Sequence, residues 1–208
     1  YAEAGISMSG SPWASVDREL EGYATADFIE VPSMFAADSF LDQGYSGEKL
    51  IRTGMGVDLS RFEKLSGGDK VFRVINVGSL NLRKGCRYLY DGLKKINRLE
   101  NFEFIHVGGV DFEGMWKQKD SFRIPCRFYG RKPQSQLKFY YSMASVFCLP
   151  SLEEGLAMVQ VQAMACGLPL ICTFNSGGSD LIEDGVEGFI VPIRDSEAIK
   201  DRILYLYH

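Results

Sequence analysis

The sequence predicts an α/β protein with a parallel, doubly wound sheet. About six short apolar runs alternate with helical patterns after Val71, and alternation at this spacing favours a parallel sheet with right-handed crossovers. Glycine and proline separate the runs, as where Gly167 and Pro169 end the helical pattern of residues 155–166. With 46% hydrophobic and 24% charged residues, the 208-residue chain can bury a substantial core.

The first 64 residues predict a smaller α/β segment. Its four elements are helix 12–23, strand 26–31, helix 35–43 and strand 49–53. These elements are too few to close a domain, and the polar stretch LSGGDK at residues 65–70 is typical of a linker. We therefore predict two domains, residues 1–64 and residues 65–208.

Residues 65–208 carry the regular alternation. The predicted strands are 71–77, 102–107, 126–129, 144–149, 169–172 and 188–191. The predicted helices are 87–96, 134–143, 155–166, a short one near 179–183, and one from Ser196 towards the end of the chain. In the common doubly wound strand order 3-2-1-4-5-6, the first and fourth strands are neighbours, and ligands bind beyond their carboxyl ends.

Two charged loops follow the first and fourth strands. Residues 78–85 have the sequence GSLNLRKG and residues 150–155 have PSLEEG, so this topology brings Arg83 and Lys84 towards Glu154. The two cations could clamp a diphosphate and stabilise a leaving group, or they could be ordinary surface cations, and the loop alone favours neither. Glu154 could likewise bind sugar hydroxyls or simply interact with a helix dipole. Glycines allow tight turns in the first loop, but no Gly-x-Gly-x-x-Gly fingerprint is present.

The helix predicted at residues 155–166 adds a second feature to this crevice. Its N-terminus follows the loop that carries Ser151 and Gly155, and free N–H groups with a positive dipole end would suit a phosphate. Gln160 and Gln162 are polar residues in an otherwise apolar helix, and a buried amide needs partners. We favour Gln162 as the one facing the crevice, because it lies about 10 Å further along nearly the same helix face as Gly155, comparable to a phosphate-to-ribose distance.

Composition argues against several functional classes. The net charge is −4, and residues 65–208 hold 18 Lys+Arg against 16 Asp+Glu, too even a balance for a nucleic-acid binder. No run approaches the roughly 20 apolar residues that span a bilayer. Five cysteines without metal-ligand spacing indicate reduced thiols in the cytoplasm. His106 lies in a strand pattern and is predicted to be a core histidine, and the acidic triplet at 111–113 is not convincing as a metal site.

Several ordered motifs carry a family resemblance. The strings VGSLNLRKG from Val77, RFYGR, LPSLEEGLAMVQVQAMACGLPLI and GGSDLIEDGVEGFIVP resemble the group 1 retaining glycosyltransferases. The resemblance implies the GT-B architecture of two Rossmann-like domains. Residues 65–208 would be a Rossmann-like doubly wound donor-binding domain, and residues 1–64, with ADFIEVPS and GVDLSRF, would be a remnant of the acceptor-side domain and the linker.

The resemblance also implies roles for individual residues. Lys84 matches the lysine that neutralises the donor diphosphate, and Glu154 matches a glutamate that contacts the donor sugar. Gln162 stands where the family has a carboxylate that binds ribose, and Ser79 where many members have an arginine, for which Arg83 could substitute. The predicted catalytic residues are Lys84, Arg83 and Glu154. The predicted substrate-binding residues are Gln162, Gly78, Ser79, Arg131, Ser151, Gly155 and Leu156, with the backbone near Arg131 facing the nucleobase.

The implied reaction is transfer of a sugar from a nucleoside diphosphate sugar to an acceptor hydroxyl with retained configuration. The resemblance implies no cofactor and no essential metal, and the charge balance argues against a nucleic-acid partner. The expected acceptor is a sugar, lipid or other hydroxyl compound, and the full-length parent is expected to associate peripherally with a membrane. A donor-binding half alone is expected to bind the nucleotide sugar and transfer little. The departures at Gln162 and Ser79 motivate an alternative, a non-catalytic nucleotide-sugar binding or assembly module. A GT-B epimerase ranks last, because it would need further acid and base side chains.

Overall fold

The computed structural model of the chain describes residues 13–66, 69–97, 99–110 and 122–208. Eight strands are present in this part of the chain: β1 Ile29–Val31, β2 Leu50–Arg52, β3 Phe72–Val77, β4 Phe102–Val107, β5 Cys126–Phe128, β6 Val146–Leu149, β7 Leu170–Cys172 and β8 Gly188–Ile190. The α-helices are α1 Trp13–Thr25, α2 Met34–Asp42, α3 Cys86–Lys94, α4 Gln134–Ser142, α5 Met158–Ala165 and α6 Ser196–Tyr207. Short 3-10 turns occupy Gly47–Lys49, Phe174–Ser176 and Gly178–Asp180.

The strands form two parallel sheets. Strands β1 and β2 pair in a small sheet, and the other six have the order β5-β4-β3-β6-β7-β8 with every neighbouring pair parallel. Counted from β3, this order is 3-2-1-4-5-6, which confirms the predicted topology. The short helix predicted near 179–183 is present as a 3-10 helix that begins one residue earlier and is shorter, Gly178–Asp180.

The central strands β3, β4, β6 and β7 of the larger sheet are buried on both faces, which explains why apolar residues predominate in them. Along β3, Val74 packs with α3 and α6, whereas its neighbour Ile75 packs with α4 and α5. The same alternation separates Val146 from Phe147 in β6, because successive side chains of a strand point to opposite faces. Helices therefore cover both faces of the sheet, as doubly wound folds require.

The region around the predicted domain boundary is anchored to the larger unit. Phe62 is buried in the core beside Tyr141, with ring centroids 6.4 Å apart. The backbone N–H of Leu65 donates to Ser142 Oγ at 3.0 Å. The boundary between residues 64 and 65 stays a prediction, and the residues just before it contribute to the larger core.

Candidate active site

The first loop of the crevice follows β3 at the point where the winding of the sheet reverses. Gly78 has φ +128°, and a Cβ placed there would lie 4.0 Å from the Lys84 side chain, so this side chain lies over the glycine. The backbone N–H of Lys84 donates to Asn81 Oδ1 at 2.9 Å. Asn81 thus fixes the turn that presents Lys84, a contribution that the sequence motif did not reveal.

The first loop is in direct contact with the loop after β6. Gly85 has φ +66°, and a Cβ on it would lie 1.8 Å from the carbonyl oxygen of Pro150. The backbone N–H of Leu152 donates to the Arg83 carbonyl at 2.8 Å. Glycine is therefore required at position 85 both for its left-handed backbone and for the close approach of the two loops.

Two cations and one carboxylate meet across the crevice. Lys84 Nζ lies 2.7 Å and Arg83 Nη1 lies 3.2 Å from Glu154 Oε2, and the side chains of Lys84 and Glu154 are only 15% and 17% exposed. Arg83 Nη1 also donates to the carbonyl of Glu153 at 2.9 Å. The predicted juxtaposition of cations and carboxylate is confirmed, and it leaves one surplus positive charge in a partly buried place, which favours an anionic ligand.

A third loop, which follows β7, supports the backbone of Glu154. The N–H of Glu154 donates to the Asn175 carbonyl at 2.8 Å, and Asn175 Nδ2 donates to the Leu152 carbonyl at 2.8 Å. Thr173 Oγ1 donates to the Ser151 carbonyl at 2.7 Å. Sequence reasoning assigned no role to Thr173 or Asn175. The predicted strand order could have indicated this contact, because the fourth and fifth strands are neighbours and the loops that follow them must therefore be adjacent.

The helix after Glu154 begins later than predicted. Residues 155–157 are not helical, and α5 starts at Met158 with Ala157 extended at φ −84°, ψ 107° and no side-chain cap. Leu156 is buried against Gly177, where an added Cβ would lie 2.6 Å from Leu156 Cδ1. The predicted start at Gly155 is wrong because tertiary packing of Leu156 holds this segment outside the helix.

The predicted loop residues differ in what they offer a ligand. Ser151 is fully buried, and its Oγ has no hydrogen-bond partner among the described residues. Leu156 is 7% exposed, whereas Gly155 is exposed. The loop therefore presents the backbone at Gly155 and the side chain of Glu154 to the crevice, with Ser151 and Leu156 behind them.

The two glutamines of α5 have different surroundings. Gln160 is fully buried, with Nε2 donating to the Ser176 carbonyl at 2.7 Å and Oε1 accepting from Ser176 Oγ at 3.2 Å. Gln162 is 4% exposed, and its Oε1 accepts a longer hydrogen bond of 3.3 Å from Tyr141 Oη. Gln160 is therefore a satisfied core amide. Gln162 remains the predicted ribose ligand of the pair.

The other end of the crevice has a floor of glycine backbone. A Cβ on Gly108 would lie 1.8 Å from the Gly78 carbonyl oxygen, and a Cβ on Gly109 would lie 2.7 Å from Arg131 Nε. The Arg131 side chain therefore lies against the backbone of Gly109. Ser79, which follows Gly78 in the chain, is half-buried. This end is lined by glycine backbone, which lets a ligand approach the main chain closely.

His106 lies below the crevice and is fully buried, as predicted for a core histidine. Its Nδ1 lies 3.1 Å from Asn76 Oδ1, and Asn76 Nδ2 donates to the Cys148 carbonyl at 2.8 Å, which links β4, β3 and β6. Burial lowers the pKa of His106 to about 4. The imidazole is therefore neutral near pH 7 and contributes no charge to the crevice.

The depressed pKa of His106 makes the fold sensitive to acid. Below about pH 6.5 the His106 side chain binds a proton in the unfolded chain, whereas in the folded chain it stays neutral down to about pH 4. The free energy of unfolding therefore decreases as the pH is lowered from about 6.5 to about 4. We expect a loss of about 3 kcal/mol across this range. Urea unfolding at several pH values checks this: His106→Gln should flatten the profile, and His208→Gln, at an exposed position, should not. Identical profiles in all three proteins would contradict it.

Three cavities lie away from the crevice, around the amino ends of β3, β4 and β5 and the adjoining linker. Their volumes are about 750, 690 and 570 Å³. Arg73, in the first of them, is held by Asp69 through two contacts of 2.7 Å and by Glu103 at 2.8 Å. That arginine is already neutralised. The amino edge therefore lacks the surplus positive charge that the crevice offers.

Two kinds of feature are absent from the described part of the chain. No group of three or more His, Cys, Asp or Glu side chains there could hold a metal ion. None of the helices there is both long and apolar enough to cross a membrane. The acidic triplet at 111–113 lies outside the described residues.

A doubly wound sheet with a cationic crevice at its switch point defines an α/β protein of the kind that binds phosphate-bearing ligands. The chain belongs to the glycosyl transferases group 1 family, whose model matches residues 59–208. The family indicated by the sequence motifs is thereby confirmed, and the fold is that of the GT-B glycosyltransferases.

Three relatives illustrate the match. The chain is 31% identical over 175 residues to the amylovoran biosynthesis glycosyltransferase AmsK of Erwinia amylovora, covering 78% of this chain and 43% of AmsK. Sucrose-phosphate synthase from Thermosynechococcus elongatus matches with a TM-score of 0.79 and 24% identity over 96% of this chain and 55% of its own. Anabaena HepE in complex with UDP and glucose matches with a TM-score of 0.73 and 20% identity over 88% and 54%. The chain spans about half the length of these relatives.

Proposed function

We propose that this chain is mainly the donor-binding half of a retaining glycosyltransferase. The reaction would move a sugar from a nucleoside diphosphate sugar to an acceptor hydroxyl with retention of the anomeric configuration. The observation that carries the proposal is the contact of Lys84 and Arg83 with Glu154 at the switch point. It supplies positive charge and a carboxylate within one crevice, which are the groups needed for a diphosphate and its sugar.

The leaving group explains why two cations are useful. As the bond to the sugar breaks, negative charge builds up on the diphosphate, and pre-placed donors stabilise that charge without reorganisation. Lys84 can pass from Glu154 to a phosphate oxygen by a small movement, because its side chain lies over Gly78 without a Cβ in the way. Glu154, released from Lys84, then becomes available to sugar hydroxyls.

The remaining donor groups fit along the same crevice. Gln162 would contact the ribose, and the backbone near Gly109 and Arg131 would face the base. UDP is the nucleotide in the complex of Anabaena HepE, and we infer a UDP sugar as the first donor to test. A panel of UDP, GDP and ADP would identify the base.

The acceptor and the setting of the reaction are also part of the proposal. The acceptor would be a sugar, a lipid or another hydroxyl compound bound largely by residues outside this chain, with peripheral membrane association of the longer enzyme. The five cysteines form no disulfide with one another and support a cytoplasmic location, where thiols stay reduced. Because catalysis needs both halves around the substrates, this chain alone should bind the donor and transfer little.

We expect nucleoside diphosphate binding to be independent of divalent metal. Lys84, Arg83 and backbone N–H groups supply the positive charge in this arrangement. Calorimetric titration of the chain with UDP should give the same affinity in the presence of magnesium and in the presence of a chelator. Loss of binding on chelation would refute a metal-independent site.

The alternative is a non-catalytic nucleotide-sugar binding or assembly module. It is favoured by Gln162, a neutral amide that Tyr141 already engages at 3.3 Å, and by the small Ser79. An amide accepts a weaker hydrogen bond from a ribose hydroxyl than a carboxylate does. Detectable hydrolysis or transfer of a UDP sugar by a longer form of the protein would decide for the enzyme.

Gln162→Glu tests the ribose contact directly. A carboxylate should strengthen binding of UDP by on the order of 1 kcal/mol, less the cost of placing a second charge near the diphosphate and Glu154. The same substitution should give no gain with 2′-deoxy-UDP. Gln160→Glu should give no gain with either nucleotide, because the Gln160 amide is hydrogen-bonded to Ser176 and not to the crevice. An equal effect on both nucleotides would remove Gln162 from the ribose site.

A further inference from the structure

The smaller unit, residues 13–53, docks onto the crevice through the N-terminus of α2. The N–H of Met34, at the first position of α2, donates to Asp180 Oδ2 at 3.0 Å and to Oδ1 at 3.2 Å. Arg52 Nη1 lies 2.9 Å from Asp180 Oδ1, and the Asp180 side chain is 11% exposed. The first N–H groups of a helix have no partner within it, and a carboxylate there also favours the helix dipole. The larger unit therefore supplies a second acceptor at the start of α2, beside the N-cap residue Ser33.

Ser33 makes a second tie beside the first. Its hydroxyl accepts a hydrogen bond from the Ala36 N–H at 3.1 Å and donates one to the Gly155 carbonyl, and the side chain is fully buried. A Cβ on Gly155 would lie 3.2 Å from Pro32 Cγ. The smaller unit therefore contacts the peptide that follows Glu154.

The contacts of Ser33 and Met34 reach two loops of the larger unit, the one after β6 and the one after β7, and these loops are hydrogen-bonded to each other at Glu154. The Glu154 N–H donates to the Asn175 carbonyl at 2.8 Å, and Asn175 lies five residues before Asp180 in the same segment. Phe35 of α2 meets Phe174 edge to face, with centroids 6.0 Å apart. Docking of the smaller unit and the position of Glu154 thus share one continuous set of contacts.

We propose that Ser33, Arg52 and Asp180 form a latch that couples docking of the smaller unit to recognition of the donor sugar. This rests on the proposed donor site. Lys84 and Arg83 bind the diphosphate within the larger unit and do not need the latch. Glu154 and Gly155 face the sugar correctly only when Ser33 and Asp180 hold α2 in place. Asp180 is a positioning residue, because it acts through the Glu154 loop and touches no substrate.

The chemistry of the latch suits reversible closure. When the smaller unit moves away, water can replace the partners of Asp180, Arg52 and the Met34 N–H, so opening leaves no buried charge unpaired. The contacts have small net energies individually, and a few of them together bias an open and a closed arrangement. Sugar binding that favours the closed arrangement would then also stabilise the docked position of α2.

The first test measures hydrogen exchange of the Met34 amide. Asp180→Ala should raise its exchange rate about tenfold, because a hydrogen bond and the docking of α2 are lost. Asp195→Ala is the matched control, since Asp195 caps α6 within its own unit by accepting from the Ala198 N–H at 2.8 Å. The control should leave the Met34 amide unchanged. Asp180→Asn keeps an acceptor and should retain most of the protection. Unchanged exchange in Asp180→Ala would refute the latch.

The second test separates phosphate from sugar recognition in the same variants. Asp180→Ala should leave UDP affinity within about twofold and abolish the preference for UDP-glucose over UDP, with Asp195→Ala retaining that preference. A retained preference in Asp180→Ala would overturn the coupling even if exchange rises. If the unmodified chain binds neither nucleotide, the proposed donor site itself fails and the coupling with it, while the exchange data still decide whether Asp180 binds the start of α2.

Discussion

Lys84→Met is expected to weaken UDP binding about 30-fold and to leave uridine binding unchanged. The substitution keeps the aliphatic stem over Gly78 and removes only the charge. A charge-assisted hydrogen bond to phosphate contributes about 2 kcal/mol, which corresponds to roughly 30-fold. The loss is increased because Glu154 would keep only Arg83 as a partner and would repel the phosphates. Calorimetric titration with UDP and with uridine measures both effects.

Lys95→Met is the control for Lys84→Met. Lys95 also pairs with a glutamate, Glu197 at 2.6 Å, but at an exposed position between α3 and α6. The Lys95 variant should bind UDP like the unmodified chain. Equal weakening of UDP and uridine by Lys84→Met would indicate a damaged fold, and unchanged UDP binding would remove Lys84 from the phosphate site.

Gly85→Ala is expected to lower the free energy of unfolding by about 4 kcal/mol. A residue with a Cβ in the left-handed region costs about 1–2 kcal/mol, and overpacking adds about 1–3 kcal/mol. The added Cβ would lie 1.8 Å from the Pro150 carbonyl oxygen, so the two loops of the crevice would have to separate. Urea unfolding measures the loss, and UDP binding should weaken with it.

Gly130→Ala isolates the steric part of that effect. Gly130 has φ +67°, nearly the same as the +66° of Gly85, but nothing lies within 4 Å of a Cβ placed on it. Its alanine variant should lose only about 1–2 kcal/mol. Similar losses in the two variants would show that the close approach at Gly85 does not matter.

The sheet was predictable from the sequence because its central strands are buried on both faces. Runs such as residues 146–149, VFCL, carry the signal in consecutive apolar residues, and the structure has β6 at Val146–Leu149. The alternation predicted a parallel, doubly wound sheet with right-handed crossovers, and the expected strand order was the common one for such sheets. That order alone placed Lys84 and Glu154 in one crevice.

Other parts of the site could not be predicted, because they depend on tertiary contacts. The start of α5 at Met158 depends on packing of Leu156 against Gly177, and no local propensity encodes it. The support of Glu154 by Asn175 comes from a backbone carbonyl, which any residue could offer. Asp180 accepts from the first N–H of a helix 146 residues earlier in the chain, and no local sequence pattern indicates such a contact.

A crystal structure of the chain with UDP would test the donor site most directly. We expect the diphosphate about 3 Å from Lys84 Nζ and beside Arg83, with the base towards Gly109 and the ribose near Gln162. A nucleotide bound instead in the amino-edge cavity that Arg73 and Arg127 line, with the crevice unoccupied, would contradict the assignment of the donor site.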